Sequence, residues 1–171
     1  MPSHHPCPSA RVLWLTTASL LLALPWLNPF TWGPVASLLQ WLGTALALAG
    51  LLLLGALWRA GGARGSAPWA QAIAWGWLLA GALSSLMALL QYTGHSAAWA
   101  PWVNITNTGE AFANLRQRNQ FATLTNMALA SLCWAAVAGA PSQRGRVGYV
   151  VLAVLLGVGN AASASRTGML Q

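Results

Sequence analysis

The stretch Val35–Trp58, VASLLQWLGTALALAGLLLLGALW, decides the fold. It holds no charged residue and is the longest clean apolar run in the chain. A bilayer core about 30 Å thick needs about 20 apolar helical residues to cross it. Four further stretches qualify or nearly do: Val12–Leu27, which stops at Asn28-Pro29, then Trp69–Gln91, Phe121–Ala140 and Val147–Ala162. All are continuously apolar, without the alternation and short turns of an outer-membrane barrel, so helices are the spanning element. The expected fold is all-α: a polytopic integral membrane helix bundle with about five transmembrane helices.

Composition points the same way. Of 171 residues, 57% are hydrophobic and 5% charged, against about 25% charged in a soluble domain. Glu110 is the whole set of acids, there is no Lys, and all eight cations are Arg, for a formal charge of +7. A hydrolase working with two carboxylates and an all-protein Mg²⁺ or Ca²⁺ cage are excluded within this chain, since each needs several acidic oxygens. No nucleic-acid partner is expected, because the Arg residues are scattered between apolar runs rather than clustered on a polar surface. Cys7 lies in a Pro/His-rich tail and Cys133 in an apolar helix, which argues against a disulfide. His4, His5 and Cys7 lack a fourth ligand nearby and read as a tail rather than a metal site. No metal and no cofactor are expected.

Arginine placement gives an orientation. Arg11, the Arg59/Arg64 pair and the Arg144/Arg146 pair fall at alternate ends of consecutive spans, which puts them together on the cytoplasmic side. The first span has no small-x-small cleavage site after it and reads as a retained helix, not a signal peptide. The expected organisation is a cytoplasmic tail (1–11), three transmembrane helices (12–92), an outer loop (93–120), two more helices (121–162) and a short polar end (163–171). Trp14, Trp26, Trp32, Trp58, Trp69, Trp99 and Trp102 sit near span ends, where an amphipathic ring suits the interface. Trp75, Trp77 and Trp134 lie further inside and read as packing residues. Gly43, Gly50, Gly55, Gly76 and Gly81 allow close helix approach.

This orientation leaves Arg116, Arg118 and Arg166 on the outer side, against the usual bias. The first two belong to a polar block, Glu110-Ala-Phe-Ala-Asn-Leu-Arg-Gln-Arg-Asn-Gln-Phe121, that runs straight into the fourth span. Were the block helical, Arg116, Asn119 and Gln120 would share one face, with Glu110, Asn114, Gln117 and Arg118 on a neighbouring stripe. Two Arg and several amides at a helix entrance suit a phosphate or pyrophosphate; the plainer reading is a set of juxtamembrane anchors with Glu110 neutralising one Arg. The last segment, Ser163-Ala-Ser165-Arg166-Thr167-Gly168, sets an Arg between hydroxyls at the end of a membrane helix. Such an Arg either snorkels to the interface or lines a polar cavity. Gly157 and Gly159 form no dinucleotide fingerprint, as no strand precedes them and a third Gly is missing.

Asn114-Leu-Arg-Gln-Arg-Asn-Gln-Phe-Ala122 followed by Ser163-Ala-Ser-Arg-Thr-Gly168 resembles the protein glycosylation ligases, the PglL-type O-oligosaccharyltransferases of the bacterial O-antigen ligase superfamily. The close resemblance runs from about Gly109 onward. It implies a metal-independent glycosyltransferase of the bacterial inner membrane, with a cytoplasmic N-terminus and a periplasmic active site. The reaction implied moves a glycan from undecaprenyl pyrophosphate to a Ser or Thr of pilin or another exported protein. By motif match, Arg116, Arg118 and Arg166 would bind the pyrophosphate, with Gln117, Asn119, Gln120, Ser165 and Thr167 in support. Members of that family carry about a dozen spans and a large periplasmic loop with a His that acts on the acceptor. The chain given ends at Gln171, just inside the ligase core, so it reads as the N-terminal part of such an enzyme, inactive alone. No catalytic base is assigned; His95 reads as a solvated loop residue. Two other readings stay open, a small multi-span anion transporter or channel subunit and a membrane assembly protein.

Overall fold

In a computed structural model of the protein, residues 8–28, 38–60, 68–139 and 142–163 are described. They form five long helices: α1 (Pro8–Leu27), α2 (Leu38–Ala60), α3 (Trp69–Tyr92), α4 (Arg118–Gly139) and α5 (Gln143–Ala162), with a short 3-10 turn at Ser96–Trp99. There is no strand among the described residues. All five helices are long and apolar enough to cross a membrane, and the chain is a multi-pass membrane helix bundle. Several helices begin before their apolar windows do. α4 starts at Arg118 and α5 at Gln143, where Ser142 caps the first turn by accepting from Gly145 N at 3.4 Å. Hydropathy sees only the apolar part of a helix, whereas backbone hydrogen bonding continues through polar first turns.

α3 is the centre, packed against α1, α4 and α5, while α2 lies on α1 at the rim. The reason is side-chain size. In a bilayer, lipid is as apolar as leucine, so helices associate where small residues let backbones approach. α3 buries Ala72, Gly76, Ala80, Gly81, Ser84, Ser85 and Ala88. A Cβ at Gly76 would sit 2.7 Å from Leu22 Cβ of α1, and one at Gly81 would sit 2.5 Å from Ala128 Cβ of α4. α5 returns the favour through Gly159, where a Cβ would meet the Ser85 side chain at 2.7 Å. Ser19 Oγ adds a polar tie, donating to Ala72 O at 3.2 Å.

The same logic corrects two tryptophan assignments. Trp75 and Trp134 are not packing residues; they are 47% and 42% exposed, facing outward. With hydrocarbon outside, a large ring gains nothing by pointing inward, and the tight interfaces exclude it. Trp14, near a span end, packs instead. It is buried at the end where α1 begins, edge-on to Trp69 at 4.7 Å and tilted on Trp58 at 5.4 Å, and its Nε1 donates to Leu54 O.

The up-and-down order collects the C-termini of α1, α3 and α5 and the N-termini of α2 and α4 at one end of the bundle. The chain between α3 and α4 folds over this end, which we call the loop end.

Candidate functional site

The loop end is fastened by two buried amides. Gln91, in the last turn of α3, is fully buried. Its Nε2 donates to Asn104 O at 2.9 Å and to Ala113 O at 2.7 Å, while its Oε1 accepts from Phe112 N at 3.0 Å and Ala113 N at 2.7 Å. Asn114, 1% exposed, makes the complementary set. Its Oδ1 accepts from Asn104 N at 3.0 Å, and its Nδ2 donates to Trp102 O at 2.8 Å and to Leu27 O, the end of α1, at 3.1 Å. Between them the two amides tie α3, α1 and both halves of the loop into one body. Each uses its donors and its acceptor, as a polar group buried away from water must.

That body dictates the backbone. Gln91 grips Ala113 from both sides and holds it at φ +55°, in the left-handed region. Gly109, at φ +86°, turns the chain back so that its N–H reaches Tyr92 O at 3.0 Å. Ala111, Ala113 and Leu115 are buried against Phe121 and Leu124 of α4. A helix through 110–117 would forfeit all of these bonds. The helical face joining Arg116 to Asn119 and Gln120 is therefore not formed: residues 110–117 are a folded loop, and α4 opens only at Arg118.

The block's polar groups stand at this corner. Arg116 is half-buried, and Gln117, Arg118, Asn119 and Gln120 are exposed. Arg118 Nη2 donates to Glu110 Oε1 at 3.0 Å, with both side chains well exposed. A surface pair of this kind contributes about 0–1 kcal/mol, so it orients Arg118 more than it stabilises the loop. One carboxylate against two guanidinium groups leaves the corner cationic, and the fork of Arg118 retains further N–H donors.

Beside the corner, Asn119, Gln120 and Thr123 of α4 line an open groove of about 410 Å³. Its other walls are Pro25 and Trp26 of α1, Gln40 and Thr44 of α2, and Leu115 of the loop. A second polar contact lies between α4 and α5, where Asn160 Nδ2 donates to Asn126 Oδ1 at 3.2 Å. Ser163, buried just past α5, donates to Asn160 O at 2.6 Å. Ser165, Arg166 and Thr167 lie outside the described residues, as do His4, His5, Cys7 and Arg64. His95 is exposed, its Nδ1 3.0 Å from Thr93 Oγ1.

Sequence reading missed Gln91, Gln40, Thr44 and the Asn126–Asn160 contact. Each is a polar side chain inside a run otherwise fit for lipid, which was the available signal.

A family model described as protein glycosylation ligase matches residues 111–134. The match covers the loop from Ala111, the whole Arg116–Gln120 corner and α4 as far as Trp134. No curated protein matches the chain, and no solved structure does. The segment on which the corner is built is thus similar to that of the protein glycosylation ligases, and a ligase-related function is what this likeness suggests.

Proposed function

We propose that the chain is the donor-binding membrane part of an O-oligosaccharyltransferase, related to the O-antigen ligases. It holds a glycan on undecaprenyl pyrophosphate for transfer to a Ser or Thr of pilin or another exported protein. In this reading the loop end faces the periplasm across the bacterial inner membrane, and the Arg11 end faces the cytoplasm. The observation that carries it is a coincidence of place. The family match falls on the segment that Gln91 and Asn114 hold rigid, and that segment carries Arg116 and Arg118 at the mouth of a membrane helix.

The chemistry follows from where charge develops. As the glycosidic bond to the lipid pyrophosphate breaks, negative charge grows on the leaving phosphate oxygens. Guanidinium groups fixed beforehand stabilise that charge without reorganising, and they bind phosphate through paired N–H donors. Arg116, Arg118 and Arg166 take this role, with Gln117, Asn119, Gln120, Ser165 and Thr167 as supporting donors. In this reading a pyrophosphate headgroup at the membrane surface lies near the polar first turn of α4, ahead of that helix's apolar run.

The test is photo-crosslinking of a diazirine-bearing polyprenyl pyrophosphate glycan to the chain in nanodiscs, with peptide mapping. Crosslinks concentrated in 110–123 and suppressed by excess unlabelled lipid are expected. Crosslinks spread evenly over the lipid-facing helices, indifferent to competitor, would contradict the proposal.

A further inference from the structure

The end of the bundle opposite the corner carries Arg11, Arg59, Arg144 and Arg146 and no acidic side chain. Glu110, the only acid in the sequence, lies at the loop end. The two ends are separated by the 24 residues of α3, about 36 Å of helix. That is several times the screening length of about 8 Å at physiological salt, so Glu110 balances none of these charges.

Two of the four arginines converge on one place. Trp14 of α1 lies edge-on to Trp69 of α3. Trp69 in turn covers Gly55 of α2, where a Cβ would sit 3.1 Å from Trp69 Cζ2. The Trp69 ring is therefore the point where α1, α2 and α3 meet. Arg11 lies one turn before Trp14 on α1, and Arg59 one turn after Gly55 on α2. Each is thus on the side of its helix that faces Trp69, one turn nearer the helix end. The contacts agree for Arg11, whose Nη2 donates to Gln71 Oε1 of α3 at 3.1 Å. Arg59 is exposed and makes no hydrogen bond or ion pair among the described residues.

This placement favours an anion from outside. Arg11 ends the first turn of α1, which holds no acid, and there the field of the helix opposes a cation. A second guanidinium nearby adds repulsion. One phosphate between the two forks relieves both, because each fork offers paired N–H donors matched to phosphate oxygens. Gln71 fixes the orientation of Arg11 through a neutral amide and leaves its charge uncompensated.

The surroundings select a lipid. Val12 and Leu13 beside Arg11, and Leu53 and Leu57 before Arg59, are exposed apolar surface. Acyl chains can lie along them while the headgroup stays level with the tryptophans, the depth that indole rings take at a membrane interface. A soluble phosphate would gain nothing from these side chains. A zwitterionic headgroup brings its own cation and arrives already balanced, so a net anionic one is preferred.

From this we infer that Arg11 and Arg59, set about Trp69, form a clamp for the phosphodiester of an anionic phospholipid. The site is independent of the reading under Proposed function: it lies at the other end of the bundle and uses other residues.

The experiment reconstitutes the full chain with an equimolar mixture of phosphatidylglycerol and phosphatidylcholine, extracts it gently and counts retained lipid by native mass spectrometry. The unaltered protein is expected to retain phosphatidylglycerol over phosphatidylcholine by about tenfold. Arg11→Gln/Arg59→Gln should abolish that preference. Arg144→Gln/Arg146→Gln removes the same charge from the same end of the bundle and should leave it within about twofold. Arg59→Gln alone breaks no bond among the described residues, so the large loss expected from it is not a loss of fold. Equal losses from the two double variants would reduce the clamp to diffuse surface charge and overturn it, as would no preference in the unaltered protein. Displacement of the lipid by glycerol phosphate as effectively as by phosphatidylglycerol would overturn the lipid as the occupant.

Discussion

At the end where α1 begins, Trp14, Trp58 and Trp69 pack into an aromatic knot, with Trp14 Nε1 donating to Leu54 O at 3.1 Å, and Arg11 donates to Gln71 at 3.1 Å on the surface. At the other end, Gln91 and Asn114 fasten the loop with seven directional bonds, all 2.7–3.1 Å. Aromatic packing has broad minima and tolerates small shifts. Hydrogen bonds between buried amides and a loop backbone admit one geometry, because every missed bond leaves a polar group unsatisfied in a low dielectric. The difference separates two tasks. One end closes the bundle; the other fixes the loop backbone that leads into the Arg116–Gln120 corner, as the binding role proposed above needs.

The largest effect that breaks this contrast should come from Gln91→Leu. It puts an apolar side chain of similar size in place of the amide but strands two N–H groups and two carbonyls of the loop, at about 3–5 kcal/mol. Hydrogen exchange should show residues 103–117 losing protection while α1 and α2 keep theirs, and phosphate-lipid binding should fall with it. Trp14→Phe should cost less, about 1 kcal/mol, by removing the bond to Leu54 O while leaving most of the ring contact. Its mark is a lower melting temperature with lipid binding unchanged, so a binding defect there would blur the division between ends. Smallest of all, Glu110→Gln should change stability by about 0–1 kcal/mol. It releases Arg118 and should tighten binding of an anionic headgroup about two- to fivefold at low salt, an effect that fades as salt screens the corner.

The helices were legible because length and hydropathy alone set a membrane span, and Val35–Trp58 needs no partner to be read. The loop was not. Nothing in Glu110–Gln117 forbids a helix, and the bonds that prevent it come from Gln91, on the preceding span, and from the end of α1. Local pattern is blind to partners so distant in sequence. Trp75 and Trp134 misled for a different reason: hydrophobicity separates inside from outside only where the outside is water. The amide density of the polar block was legible, and the family match falls on it. That Asn119 and Gln120 line one groove with Gln40 and Thr44 of α2 was not, because α2 packs on α1 and α4 on α3 and α5.

The most direct test of the central claim is the affinity of undecaprenyl pyrophosphate for the chain in nanodiscs, measured beside an Arg116→Ala/Arg118→Ala variant across a salt series. The account predicts a loss of about 10- to 100-fold, from two charge-assisted contacts, with the salt dependence of binding flattened in the variant. Equal affinity in both proteins, or anion flux through vesicles containing the chain without any lipid-linked ligand, would contradict it.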